Sequence, residues 1–198
     1  LVLSRNGNIS PLGTAFVVSS PSNRVLLTAY HCVSPYHGTD GMPSLGLLTS
    51  LALGDDGSLF FTPASPIPVQ VLHGDPLSDV CVLFSPEVGF ERSIPLCPVE
   101  QFPAIRNEDK VKTYYAPCQA YVDQIIEIVS VMTTSYDKIR MESQHHFFLT
   151  GEHMHGSSGG AVVDVYGRAV GLITSGYRPG ANTLPAHVSE QLEKVIQD

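Results

Sequence analysis

A serine hydroxyl attacks a carbonyl only with help, and the run Gly156-Ser157-Ser158-Gly159-Gly160 before the apolar Ala161-Val162-Val163 could supply it. Small residues on both sides let the backbone turn sharply and let a substrate carbonyl come close, leaving the amides of Gly156 and Ser158 to face a developing oxyanion. The same five residues also read as a plain Gly/Ser turn between strands, so they need partners before they mean chemistry. One partner is His31, just past the apolar Val25-Leu26-Leu27-Thr28-Ala29, because imidazole titrates near neutrality and can take a proton from a serine. With 8 histidines in the chain, a histidine at a strand end is also an ordinary structural feature. The second partner is Asp79, which leads straight into Val80-Cys81-Val82-Leu83-Phe84. A carboxylate at the head of an apolar run is desolvated unless something pairs with it, and a histidine N–H both pairs with it and has its tautomer fixed in return. A turn aspartate is the plain alternative. Asp75, followed by Pro76 in the loop, is the weaker candidate.

Elements able to hold these groups are short and numerous. Charged residues are only 15% of the chain, while 17 glycines and 15 prolines favour brief elements joined by tight turns, which predicts an all-β fold. Runs rich in Val, Ile, Leu, Thr and Phe predict strands over 14–19, 25–29, 44–53, 58–62, 67–73 and 80–85, making a first β lobe. Residues 97–109, with Pro98, Pro103 and mixed charge, read as a crossover. A second set of strands is predicted over 110–116, 121–134 with a break inside it, 139–142, 147–150, 161–165 and 169–175. Val188, Leu192, Val195 and Ile196 then recur at helical spacing, which predicts an amphipathic helix over 187–197. The domain organisation expected is an N-terminal lobe over 1–97, an interlobe crossover over 98–109, a C-terminal lobe over 110–186 and a closing helix over 187–198.

A formal charge of -8 with no Lys/Arg run argues against a nucleic-acid backbone or an anionic membrane surface as partner. No apolar stretch approaches the ~20 residues that span a bilayer. The chain starts at Leu1 rather than Met, as a processed product or a fragment does, so no targeting segment fixes a compartment. Cys32, Cys81, Cys97 and Cys118 lack the tight spacing of a zinc or redox site, and Cys81, inside an apolar run, reads as a buried thiol.

The chain order His31, Asp79, Ser158 and the motifs around them resemble the trypsin-like serine peptidase family. Gly13-Thr14-Ala15-Phe16-Val17-Val18 is similar to its opening strand, Thr28-Ala29-Tyr30-His31-Cys32 to its histidine motif, Asp79-Val80-Cys81-Val82-Leu83 to its aspartate motif, and Gly156 to Gly160 to its serine motif. The resemblance implies two six-stranded antiparallel Greek-key barrels of the chymotrypsin type with a C-terminal helix. It also implies a serine endopeptidase working through an acyl-enzyme, with His31 as base, Asp79 behind it, Ser158 as nucleophile, and the Gly156 and Ser158 amides as oxyanion hole. A protein or peptide substrate is implied, and no cofactor. Ser157 stands where secreted members carry an aspartate, and Leu1-Val2-Leu3 lacks their activating N-terminus, which places the chain nearer to HtrA-like and bacterial or intracellular relatives. No cysteine near Leu12 faces Cys32, and Met154 occupies another usual cysteine position; the missing disulfides favour a reducing compartment. By the same resemblance Glu152 falls where family members carry the acid that attracts a basic side chain at the cleavage site, although one inserted residue would aim it into solvent, and His153 and His155 beside it either line the pocket or sit at its rim; Gly171-Leu172-Ile173-Thr174-Ser175-Gly176 resembles the edge that pairs with substrate, with Thr174, Ser175 and Gly176 in contact.

Two other readings compete. One is a protease-shaped interaction domain without catalysis, against which all three triad residue types and the glycines are present. The other is a metal site made from His145, His146, His153 and His155 with Glu152, although no supporting second shell is evident in the sequence.

Overall fold

The computed structural model describes residues 2–5, 8–19, 24–34, 44–47, 51–53, 55, 59–61, 66–87, 93–98, 100–101, 105–115, 133–141, 146–151, 153, 156–174 and 185–187. Its described elements are seventeen strands and one 3-10 turn, so the all-β expectation holds.

The central strands of the N-terminal half are β3 (Phe16–Ser19), β4 (Arg24–Ala29), β9 (Gln70–Asp75) and β10 (Val80–Phe84). With β11 (Ile94–Pro95) they form a five-stranded sheet in the order β11-β3-β4-β10-β9. Both β4 and β10 are buried on both faces, because the two-residue period sends alternate side chains to different cores. Val25, Leu27, Val80 and Val82 go to one side, and Leu26, Cys81 and Leu83 to the other. A bulge sets two residues of β9 against one step of β10, where His73 faces Val82 and Val71 faces Leu83. The extra residue is Leu72, and it projects to solvent, 55% exposed.

A second sheet runs β2-β1-β5-β8, from Asn8–Pro11 (β2), Val2–Arg5 (β1), Ser44–Leu47 (β5) and Ile67–Pro68 (β8). Leu51–Leu53 (β6) and Leu59–Phe61 (β7) pair by themselves. The expected first barrel is thus three sheets among the described residues, and β11 joins β3 in parallel rather than antiparallel. The N-terminal hairpin of β1 and β2 carries no strong apolar period and was not expected.

The C-terminal half closes as expected into a six-stranded barrel, β12-β13-β14-β17-β16-β15. Its strands are Lys110–Tyr115 (β12), Thr133–Met141 (β13), His146–Leu149 (β14), Ala161–Val163 (β15), Ala169–Ile173 (β16) and Pro185–His187 (β17). His187 pairs with His146 and Leu172, so the residue predicted to begin the closing helix instead ends a barrel strand. The barrel needs β17 to close between β14 and β16, and that backbone pairing outweighs the local helical spacing. The rest of that helix, 188–198, and most of the strand expected over 121–134 lie outside the described residues. β13 runs unbroken through Ser135, Tyr136, Asp137 and Lys138, where polar character had suggested a gap.

β16 shows how one strand serves two cores. Val162 faces Gly171 while Val163 faces Ala169, so Val170 is an extra residue that resets the strand's parity. Ala169 and Leu172 therefore both point toward the N-terminal sheet, sharing a core with Phe16, Val18, Leu27 and Val82. Val170 and Ile173 turn into the barrel with Val111, Tyr115, Ile139, Phe147 and Leu149. The segment after β11 is stitched to the same strand, with the Cys97 amide donating to the Ala169 carbonyl at 2.9 Å and its side chain in the barrel core. The two halves therefore meet across one continuous apolar layer. Among the described residues no helix is long and apolar enough to cross a membrane.

Candidate active site

The register of the N-terminal sheet brings two of the three sequence candidates together. Val80 on β10 lies opposite Ala29 on β4, so the residues just beyond, Asp79 and Tyr30, meet where the pair ends. Past Ala29 the chain turns through a 3-10 element, Tyr30–Cys32, which lifts His31 off the sheet and leaves its side chain 48% exposed. Asp79 sits at φ 54, a left-handed conformation that aspartate tolerates better than most side chains, at the end of the turn that begins at Pro76.

From there Asp79 grips the histidine segment at three points. Its carbonyl accepts the Tyr30 amide at 3.0 Å, its Oδ1 accepts the His31 amide at 2.8 Å, and its Oδ2 lies 2.7 Å from His31 Nδ1. With Nδ1–H donating to the carboxylate, Nε2 is the nitrogen left to take a proton. The Asp79 hydrogen bond, helped by Cys32, pushes the His31 pKa up to about 10. Asp75 is committed elsewhere: its carboxylate accepts the Leu77 amide at 2.9 Å and the Ser78 hydroxyl, closing the turn that delivers Asp79. Burial pushes the Asp75 carboxyl up, but these bonds outweigh it and hold it below the usual range.

The serine segment arrives from the barrel. Gly156 at φ 87 and Gly159 at φ 83 take the left-handed conformations that bend the chain on either side of Ser158. The carbonyls of Gly156, Ser157 and Ser158 all have partners. That of Gly156 accepts the Thr14 hydroxyl at 2.8 Å, that of Ser157 the Gly160 amide at 2.8 Å, and that of Ser158 the Thr14 amide at 2.8 Å. The Gly159 amide donates to the Ile173 carbonyl at 2.6 Å, and Ile173 returns a bond to the Gly160 carbonyl at 2.8 Å. In a trans peptide the N–H points opposite the C=O, so tying the Ser157 carbonyl inward turns the Ser158 amide outward. Among the described residues nothing accepts a bond from the amides of Gly156 or Ser158. Ser157 is buried, 5% exposed.

The His31 Nε2 contact among the described residues is with Cys32 Sγ at 3.6 Å, and no hydrogen bond joins it to the Ser158 hydroxyl. Cys32 and the Ser158 carbonyl both abut Gly13, so the histidine turn and the serine loop border the same point of the N-terminal sheet. Cys32, Cys81 and Cys97 are buried thiols, and burial pushes Cys81 up to about 12.

The specificity candidates are less complete. Glu152, His155, Ser175 and Gly176 lie outside the described residues. Thr174 is buried, 1% exposed. Leu172 and Ile173 are paired to β15 or the serine loop on one side and to β17 on the other, so neither of these two residues offers a free edge. Of the histidines weighed as metal ligands, His153 is turned inward: its Nε2 lies 3.3 Å from Asp137 Oδ2 and 3.3 Å from the Thr113 hydroxyl, with its ring tilted against Tyr115. Both the His153 and Asp137 side chains are fully buried. Burial pushes Asp137 up, but the bond and charge of His153, the Gly151 amide and the Ser135 hydroxyl outweigh it and hold the carboxyl below the usual range. The side chains of His145, His146 and His155 are not described. Sequence reasoning missed Asp137, Thr14 and Thr28; Gly13-Thr14 was the available signal, a small-residue step directly before an apolar strand.

Together these features define a class: a strand-built scaffold in two halves, with an Asp-anchored histidine on one and a glycine-flanked serine on the other. The chain belongs to the trypsin-like peptidase domain family, whose sequence model matches residues 13–172. A comparison with curated proteins finds no match. Among solved structures, the HtrA-type protease AlgW with a decapeptide is similar at 21% identity and a TM-score of 0.59, over 96% of this chain and 51% of that one. The serine endoprotease from Yersinia pestis is similar at 18% identity and a TM-score of 0.61, over 100% of this chain and 62% of that one. Rv3671c from M. tuberculosis H37Rv, in the inactive form of a mutant, gives 15% and 0.57, over 99% and 83%. At these identities the likeness is one of fold. The chain spans about half the length of the AlgW structure's chain and under two-thirds of the Yersinia one.

Proposed function

We propose that this domain is a serine endopeptidase in which Ser158 attacks a peptide carbonyl, His31 takes its proton through Nε2, and Asp79 holds and stabilises the resulting imidazolium. The amides of Gly156 and Ser158 stabilise the oxyanion. The tetrahedral intermediate collapses to an acyl-enzyme as His31 gives its proton to the leaving amine, and water then releases the acyl group by the same route. The observation that carries this reading is the 2.7 Å bond from Asp79 Oδ2 to His31 Nδ1, reinforced by the Asp79–His31 amide bond. Membership of the trypsin-like family supports it, as does the decapeptide in the AlgW structure, which fits a protein or peptide substrate here.

On this reading the N-terminal lobe over 1–97 supplies the base and the C-terminal lobe over 110–186 supplies the nucleophile, joined by the crossover at 98–109. Glu152, His155, Thr174, Ser175 and Gly176 are the residues proposed to select the side chain before the cut. Turnover of fluorogenic casein, with Ser158→Ala as control, tests the assignment. Ser158→Ala is expected to abolish activity by more than about 10⁴-fold, and a variant that cleaves normally overturns it. Profiling a peptide library for the residue before the cut tests the specificity residues.

The contact of Nε2 with Cys32 rather than with Ser158 favours one second reading, a protease-shaped interaction domain without catalysis. Covalent labelling by a serine-reactive phosphonate separates the two: labelling lost in Ser158→Ala supports the peptidase, and no labelling of the unaltered chain supports the silent domain.

A further inference from the structure

The outer face of the barrel's first two strands gathers cations that the sequence keeps apart. On β12 the side chains of Val111, Thr113 and Tyr115 are buried, which turns Lys110, Lys112 and Tyr114 outward. On β13 Asp137 and Ile139 are buried, and Tyr136, Lys138 and Arg140 face solvent. The antiparallel register sets Lys110 opposite Lys138 and Lys112 opposite Tyr136. Four of the chain's 11 Lys and Arg residues thus share one small face, although the sequence has no Lys/Arg run.

Like charges set directly opposite each other cost stability, so this face carries a local penalty that an anion relieves. One carboxylate of the chain already does so in part: Glu108, at the rim, reaches to 2.8 Å from Lys138 Nζ, and the Lys138 side chain is still 50% exposed. The Lys112 ammonium lies 4.9 Å from the centre of the Tyr114 ring and 5.5 Å from that of Tyr136, so it is held in place before any ligand arrives. Alternate residues of a strand stand about 6.8 Å apart, which spaces Lys110 from Lys112 and Lys138 from Arg140. An extended polypeptide with acidic side chains at alternate positions presents its carboxylates at that same interval, and Glu108 shows a carboxylate seated on the face. A long polyanion fits less well, because the chain as a whole has a net charge of -8 and its surface beyond the patch repels one. We propose that the face formed by Lys110, Lys112, Lys138 and Arg140 is a docking surface for an extended acidic segment of a partner protein, with Glu108 as its built-in competitor.

Fluorescence anisotropy of a fluorescein-labelled peptide, Gly-Glu-Gly-Glu-Gly-Glu-Gly, titrated with the full chain at about 20 mM salt, tests this. The peptide is expected to bind at least about tenfold more tightly than its counterpart with Gln for Glu, and to weaken about tenfold when salt is raised to about 150 mM, since exposed charges are screened. The double variant Lys112→Gln/Lys138→Gln loses two exposed ion pairs and is expected to bind about tenfold more weakly, with thermal unfolding little changed. Glu108→Gln removes the competing carboxylate and is expected to tighten binding about threefold, a gain that a misfolded chain cannot give. Equal affinity for the Glu and Gln peptides, unchanged affinity in the double variant, or weaker binding in Glu108→Gln overturns the proposal. So does tighter binding of an oligothymidylate of the same charge, which assigns the face to nucleic acid, or a concentration-dependent dimer that is lost in the double variant, which assigns it to a second copy of the chain. None of these readouts uses turnover, so the peptidase reading can fail while this one stands.

Discussion

Each half of the molecule contains an aspartate–histidine pair, and the two are opposites. Asp79 and His31 lie 2.7 Å apart at the end of two paired strands, with side chains 22% and 48% exposed. Asp137 and His153 lie 3.3 Å apart inside the barrel with neither side chain exposed. The first pair leaves one imidazole nitrogen at the surface of the sheet; the second spends its contacts on Thr113 and Tyr115. The same two residue types thus sit in different settings, and access to solvent separates them. An accessible pair can exchange protons with a reactant, whereas a sealed pair can only hold structure, since breaking it strands a charge.

The largest expected difference between the pairs is catalytic. Asp79→Asn is expected to lower kcat by about 10⁴-fold, because the amide presents the wrong donor to Nδ1, while thermal unfolding changes little. A variant that loses folding instead of turnover would erase the distinction drawn between the two pairs.

Next comes stability. Asp137→Asn removes the carboxylate from this buried pair and is expected to cost about 3–5 kcal/mol, read by denaturant unfolding. The pair also dictates an acid dependence. The folded-state pKa of Asp137 lies below its ordinary 3.8, so its contribution is present above that value and is lost as pH falls through the lower, folded one. Unfolding followed from pH 5 downward is expected to show this loss in the unaltered chain and not in Asp137→Asn. Equal acid sensitivity in both would remove Asp137 from the account.

The smallest effect sharpens the exposed pair. With His31 raised from 6.5 to about 10, the charged imidazole adds stability fully below pH 6.5, and that contribution fades as pH rises through about 10. A general base must be neutral, so activity is expected to climb with pH across the alkaline range rather than level off between 6 and 8, as an ordinary triad histidine predicts. Cys32→Ala removes the sulfur 3.6 Å from Nε2 and is expected to move the inflection in kcat/KM toward neutral pH. An inflection that stays in place shows that Asp79 alone sets it.

Much of the site was legible because its residues obey local rules. An apolar strand ending in His31, an apolar strand headed by Asp79 and a serine between glycines are patterns within a few residues, and their chain order carried the family. The missed parts depend on what lies across the molecule. Asp137 and Lys138 looked like a break between strands, yet Asp137 is an inward position of β13 whose Oδ2 lies against His153, sixteen residues further on. His187 sits in a helical pattern but pairs between β14 and β16 because the barrel has a place for a strand there.

By itself the sequence determined the strand-rich character of the chain and the family to which it belongs, and it supplied the three residues proposed to carry the chemistry. These follow from side-chain type and near-neighbour spacing, which act before any long-range contact forms. Only the tertiary structure decided that Asp79 reaches both the ring and the amide of His31, that Asp137 and His153 are sealed together, and that Thr14 holds the serine loop from the other half. Each of those rests on a register, a bulge or a close approach between segments far apart in the chain, and hydrogen bonds of that kind are set by the packed fold rather than by neighbours in sequence.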